Sequence, residues 1–214
     1  MGTQALSSAP LPQLMSRLGI LLGPAGTPTP RAWTLEALAG RFAEISSPAT
    51  GATLTVAMAL VREAQLRGEA AAWIARADST FYPPDAAASG VDLDALPVVR
   101  ARNTRAALRA ADHLLRCGGF AVVVLDLGHH HAMRVAVQSR LGGLAKRHRT
   151  ALLCLTRKRT DAPSIGSLVS IRGEVSVART DFDRFVWEIH VIKDKQRGPG
   201  WRHAARCRGP EGLS

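Results

Sequence analysis

The feature that most constrains this chain is the recurrence of short, continuous apolar runs between helix-length segments. Residues 70–75, 120–127 and 150–156 are each too short for a buried helix. They also lack the in-out alternation of a strand with one wet face. Such runs read as strands buried on both faces, and helices alternating with them imply a mostly parallel sheet covered on both sides. The helices are expected at 33–39 with Thr34 as N-cap, at 54–67, at 104–117, and at 133–148 despite Gly142 and Gly143. Further strands are expected at 41–45 and 97–100, with 46–53 as a turn. The rhythm then changes: 168–171, 174–179 and 184–193 read as consecutive antiparallel strands at the sheet's C-terminal edge. The Tyr82-Pro83-Pro84 triplet reads as a break in the chain, and no repeat of solenoid length is present.

Three domains of behaviour follow. Residues 1–32, rich in Ser, Pro and Gly with one short amphipathic stretch at 14–22, are expected to form a loosely attached arm. Residues 33–196 form the α/β core, and 197–214 a basic tail. At 46% hydrophobic and 21% charged residues the composition excludes wholesale disorder. Three cysteines with no Cys-x-x-Cys pair exclude a disulfide framework and a structural zinc site, so reduced thiols are expected. No signal-peptide pattern or apolar run of transmembrane length occurs, and a cytoplasmic protein with no membrane association is expected.

The first candidate site is the segment from Gly40 to Thr55. A strand, a loop of small residues and a helix opening on Gly-x-Thr is the layout of a phosphate-binding loop, with Ser46, Ser47, Thr50, Gly51, Ala52 and Thr53 as its elements. The chemistry of that loop is missing: its first glycine falls at Ser46 and its phosphate-neutralising lysine at Ala52. A strand-to-helix turn without ligand and a degenerate nucleotide site are the two readings. Asp126, ending the run Val122 to Asp126, stands where a carboxylate orients magnesium-bound water, or else anchors a loop. His129, His130 and His131 cannot all face one metal from regular structure, so they read as a solvated loop and no metal site is expected.

Charge supplies the second candidate site. Lys and Arg number 28 against 17 Asp and Glu, a net +11, which favours polyanionic partners. Between residues 134 and 159 there are eight basic side chains and no acid. Arg140, Lys146 and Arg147 fall on the solvent side of the expected helix, and Arg157, Lys158 and Arg159 follow the last parallel strand. Lys193, Lys195 and Arg197 begin a further basic stretch at 190–214 that includes Trp201. These nine are the expected nucleic-acid contacts, phosphate contacts being salt-sensitive and an aromatic able to stack on a base. The tail suits DNA or a protein partner equally.

The order of these segments resembles a RecA-type core. Tyr82-Pro83-Pro84 before Gly90-Val91-Asp92, the stretch Leu96 to Arg100, Ala162-Pro163-Ser164, and Lys193 to Gly200 resemble the RecA-related ImuA family, sometimes labelled SulA-like, over about residues 33–201. The resemblance implies a RecA-like P-loop fold and an accessory role in SOS-type, damage-induced mutagenesis. In that role the protein works with a Y-family polymerase homologue and an error-prone replicative-type polymerase in translesion synthesis. It also implies contact with single-stranded DNA, with RecA itself as a further candidate contact, and association with the nucleoid when DNA is damaged. The recombinase pattern is broken where catalysis lives. The water-activating carboxylate falls at Ala77, with Asp78 one residue late, and the γ-phosphate-sensing glutamine falls at Arg157. A protein without catalytic residues or a bound cofactor is therefore expected. A DNA-stimulated ATPase using ATP and magnesium in a degenerate loop is the alternative, and a SulA-like cell-division inhibitor a third reading.

Overall fold

The computed structural model describes residues 31–48, 52–129, 132–181 and 184–208. The expected arm at 1–32 thus lies almost wholly outside the described residues. Eight strands form one sheet: β1 (Phe42–Ser47), β2 (Ala71–Arg76), β3 (Val98–Ala101), β4 (Val122–Gly128), β5 (Ala151–Arg157), β6 (Ile171–Arg179), β7 (Arg184–Asp194) and β8 (Arg202–Arg208). Their spatial order is β3-β2-β4-β5-β1-β6-β7-β8. The pairs from β3 through β1 to β6 are parallel, and β6-β7-β8 are antiparallel. The expected mixed α/β architecture, with antiparallel strands at the C-terminal edge, is what the chain adopts.

Among the described residues five helices flank this sheet: α1 (Leu35–Leu38), α2 (Ala52–Leu66), α3 (Pro83–Ala88), α4 (Thr104–Cys117) and α5 (Val135–His148). On one face Leu38, Val56, Leu60 and Val61 meet Trp73, Val124 and Leu153. On the other, Leu115 and Leu141 from α4 and α5 meet Ile74, Val123, Leu125 and Leu152. Burial on both faces explains the uninterrupted apolar runs. Thr34 caps α1, its hydroxyl accepting from Ala37 N at 3.3 Å. Asn103 caps α4 in the same way, and that helix ends on left-handed Gly118.

Four elements differ from expectation. Pro83 and Pro84 open α3 rather than breaking the chain, because their fixed φ and missing N–H suit a first helical turn. Residues 174–179 are not a separate strand: β6 runs continuously from Ile171 through a register shift at Arg172/Gly173. Gly173 allows this, since a Cβ there would lie 2.5 Å from Ile189 Cγ2 and 3.0 Å from the Trp33 ring. Strand β1 extends through Ser46 and Ser47, read above as the start of a turn. The basic tail is not a tail as far as residue 208. Trp201 is buried and β8 pairs with β7 from His190–Arg202 to Arg184–Arg208.

A buried ion pair fastens the antiparallel strands to the parallel ones. Arg41, just before β1, donates to Asp194 at 2.6 Å and to Ser170 O at 3.1 Å. Asp194 also accepts from Gln196 N, Arg197 N and Trp201 Nε1. Burial pushes the Asp194 carboxyl upward, but these bonds and the Arg41 charge outweigh it and hold the group below its ordinary value.

Candidate nucleotide and nucleic-acid site

The carboxyl edge of the parallel strands is where open α/β sheets place ligands. Strand β1 delivers Ser46 and Ser47 there, and α2 resumes at Ala52; Thr50 and Gly51 lie outside the described residues. The Ser46 hydroxyl turns into the sheet, accepting from Arg172 Nε at 3.2 Å and reaching Gly173 O at 3.5 Å. Ala52 is buried. Thr53 bounds, with Ser79, Asp126, Thr156 and Arg157, a space of about 30 Å³, on the scale of one water molecule.

Asp126 stands at the end of β4 as the sequence places it, and its oxygens are engaged. Ser79 Oγ donates to Oδ2 at 2.5 Å, and Gly128 N to Oδ1 at 3.2 Å. Burial raises this carboxyl above its ordinary value, with the Ser79 bond pulling the other way. Ala77 is exposed and offers no carboxylate, and neighbouring Asp78 pairs with Arg76 at 2.8 Å. Among the described residues no group of three or more His, Cys, Asp and Glu gathers to hold a metal ion. His129 is exposed, while His130 and His131 lie outside the described residues. The three cysteines are free thiols. Among the described residues no helix is long and apolar enough to cross a membrane.

The nine expected nucleic-acid contacts do not form one surface. Lys158 leaves the set altogether: its side chain is 4% exposed and its ammonium pairs with Glu44, itself fully buried, while donating to Pro163 O at 2.6 Å. Burial lowers the Lys158 pKa, and Glu44 opposes the shift. Glu44 also accepts from Thr156 Oγ1 at 2.9 Å and Ile165 N at 3.0 Å, so a buried carboxylate in β1 is neutralised and fully bonded. Arg157 stays at the carboxyl edge, half-buried beside the Asp126 space, and exposed Arg159 pairs with Asp161 at 3.3 Å.

Lys193 and Lys195 converge elsewhere, both donating to Ser167 O, at 3.3 and 2.8 Å. Lys193 is in register with Arg172, which pairs with Glu44, and Lys195 N bonds Ser170 beside Phe42. They sit roughly 10 Å or more from the carboxyl edge, three or more residues back along β1. Burial, and then the Lys195 charge, lowers the Lys193 pKa. Arg197 is exposed beyond β7. Arg140, Lys146 and Arg147 are exposed on α5, and there the structure adds what the reading of the sequence passed over: exposed Arg105, Arg109 and Arg116 on neighbouring α4. Their signal was present as arginine at i, i+4 and i+11 of an amphipathic helix.

A β-α alternating parallel core, with a short small-residue connection from its central strand to the next helix and an acid near the end of the next strand but one, defines the RecA-type class of P-loop architecture. The RecA N-terminal domain family model matches residues 34–154, more than half of the chain, and the chain belongs to this family. The match covers β1 to β5 and stops before the antiparallel strands. The chain is 38% identical over 109 residues to Protein RecA of Clostridium acetobutylicum, covering 51% of this chain and 28% of that protein. Protein RecA of Corynebacterium urealyticum is 36% identical over 131 residues, with 55% and 34% covered, and that of Bifidobacterium breve 34% over 128, with 53% and 32% covered. The chain thus spans about a third of the length of the curated relatives it matches.

Proposed function

We propose that this chain is a non-catalytic RecA-like accessory of the DNA-damage response, of the ImuA kind, acting in translesion synthesis. The observation that carries the non-catalytic half is the chemistry of the nucleotide site. A phosphate chain needs a cation in the loop, a carboxylate to activate water and a sensor of the γ-phosphate. Those positions hold Ala52, Ala77 and Arg157. The described residues do not fit a magnesium nucleotide, since none of them supplies the loop cation, the general base or the γ-phosphate sensor.

DNA repair is supported by family membership and by the excess of basic side chains. The partners are a Y-family polymerase homologue and an error-prone replicative-type polymerase, on the strength of the segments around Tyr82-Pro83-Pro84 and Lys193 to Gly200. The protein works in the cytoplasm and joins the nucleoid on damage, with Arg157 and Arg159 touching single-stranded DNA at the carboxyl edge.

The test has two arms. The purified chain should show no ATP turnover with or without single-stranded DNA; turnover abolished by Asp126→Ala would overturn the non-catalytic reading. Affinity capture from damage-treated cells should bring down the polymerase homologue. Capture of the division GTPase in its place would favour a division inhibitor instead.

A further inference from the structure

We propose that the outer face of the α4–α5 pair docks the phosphate backbone of duplex DNA, a surface separate from the carboxyl edge. The two helices lie side by side on one face of the sheet, and Arg140 of α5 donates to Asp112 of α4, through Nη2 at 3.0 Å and through Nε. This contact fixes which stripe of each helix faces the seam. On α4 the stripe is Arg105, Arg109, Asp112 and Arg116; on α5 it contains Arg140 and Arg147, while Lys146 lies about 100° round the helix on the Gly40 side. All six cations are exposed, and Asp112 is the one acid in either helix. Hydrogen bonding from Arg140, helped by the charges of Arg140 and Arg116, holds the Asp112 carboxyl below its ordinary value, so it stays ionised and is matched by these two. Arg105, Arg109, Lys146 and Arg147 make no ion pair with any described residue.

The chemistry of the face selects its partner. Neither helix contains Phe, Tyr or Trp, so the surface lacks the large aromatic platforms on which unpaired bases stack, His113 being its one exposed ring. It also lacks the aromatic anchor expected at the centre of a protein interface or at a lipid interface. What it offers is fixed positive charge on two rigid rods, with arginine forks suited to phosphate oxygens. From Arg105 to Arg116 the stripe runs roughly 16 Å along the helix axis. Phosphates recur every 3.4 Å or so along each strand of a duplex, so the stripe spans about five of them. A duplex, whose bases are already stacked, presents that row without asking the protein for an aromatic.

The proposal rests on the DNA-repair reading only for its biological setting, and its failure leaves the turnover and capture experiments above unaffected. The test uses the whole chain, a labelled mixed-sequence duplex of about 30 base pairs, and the corresponding single strand, with anisotropy followed from roughly 50 to 300 mM salt. Arg105→Ala, Arg109→Ala and Arg147→Ala are combined, leaving the Asp112 pairs intact; Arg157→Ala with Arg159→Ala is the comparison. Each lost phosphate contact lowers the slope of log affinity against log salt by about 0.9, so the helix triple should flatten the duplex slope by about 2 to 3 and weaken binding at least tenfold at low salt. The edge pair should leave duplex binding unchanged, and the melting temperature of the triple should match the parent. Duplex binding with the parent slope in the triple would overturn the assignment. So would binding of single strand or phosphatidylserine vesicles with none of duplex.

Discussion

Replacing Lys158 with alanine is expected to damage the fold rather than a DNA contact. The Glu44 side chain is fully buried in the central strand, and Lys158 is the cation that neutralises it. Truncation would leave the carboxylate with hydrogen bonds from Thr156 and Ile165 but without its ion-pair partner. Removing one member of a buried pair costs about 3 to 5 kcal/mol, because the partner's desolvation is no longer compensated. Against a typical total of roughly 5 to 15 kcal/mol this is a large fraction. With a urea slope of about 2 kcal/mol/M, the unfolding midpoint should fall by around 1.5 to 2.5 M. Arg159→Ala is the internal control. Its ion pair with Asp161 joins side chains 85% and 75% exposed, and its loss should cost less than about 0.5 kcal/mol. Exchanging both members, Glu44→Gln with Lys158→Met, removes the stranded charge and should recover most of the loss. Urea midpoints for Lys158→Ala and Arg159→Ala that agree within error would refute the reasoning. A corollary bears on binding experiments: a triple change of residues 157–159 mixes unfolding with lost affinity, so only Arg157 and Arg159 report on the carboxyl edge.

Trp201→Ala should destabilise the chain by about 3 to 5 kcal/mol by thermal melting, since this ring is buried and its indole nitrogen bonds Asp194. Deleting residues 197–214 should cost at least as much. Because the Asp194 carboxyl is held below its ordinary value, the stability it contributes is complete at neutral pH and is lost as pH falls through its depressed folded value. Asp194→Asn should flatten the acid limb of a pH titration of stability. In native protein a thiol reagent should modify exposed Cys117 and spare Cys154, which is fully buried and whose thiol is pushed well above its ordinary value, first by burial and then by the Glu44 charge. Labelling of both at one rate would contradict the burial.

The elements legible in the sequence were those whose signal is local. Val122 to Leu127 announces itself as a doubly buried strand, and the helix at 104–117 stops at Gly118, whose left-handed backbone ends α4. Asp126 could be placed at a strand end for the same reason. Strand β8 was illegible because Arg202–Arg208 is an edge strand with exposed Arg202 and Arg206, and such charge guards an open edge as well as it decorates a solvated tail. Only its pairing with β7 and the burial of Trp201 distinguish the two. The α3 helix was missed because proline was read as a breaker when its position at the first turn makes it an initiator.

The fate of Lys158 follows from a period that was present but not applied. Strand side chains alternate, so Cys154 and Thr156 share one side of β5 and Arg157 lies on the other, and Lys158, whose N–H continues the pairing to Ser47 O just past the strand end, keeps the side of Thr156. The parallel register sets Glu44 against Cys154, on the face that α4 and α5 cover. An acid inside an otherwise apolar central strand must find a cation or a proton, and Lys158, two positions beyond Thr156 on that same face, is the cation at hand. The three consecutive basic residues therefore divide into one that completes the core and two that do not enter it, Arg157 at the edge and Arg159 exposed beyond the strand. Far fewer free cations stand at the strand ends than the raw run of charge suggests. The weight of unpaired positive charge lies instead on α4 and α5, where six Lys and Arg side chains meet one carboxylate and no Phe, Tyr or Trp interrupts them.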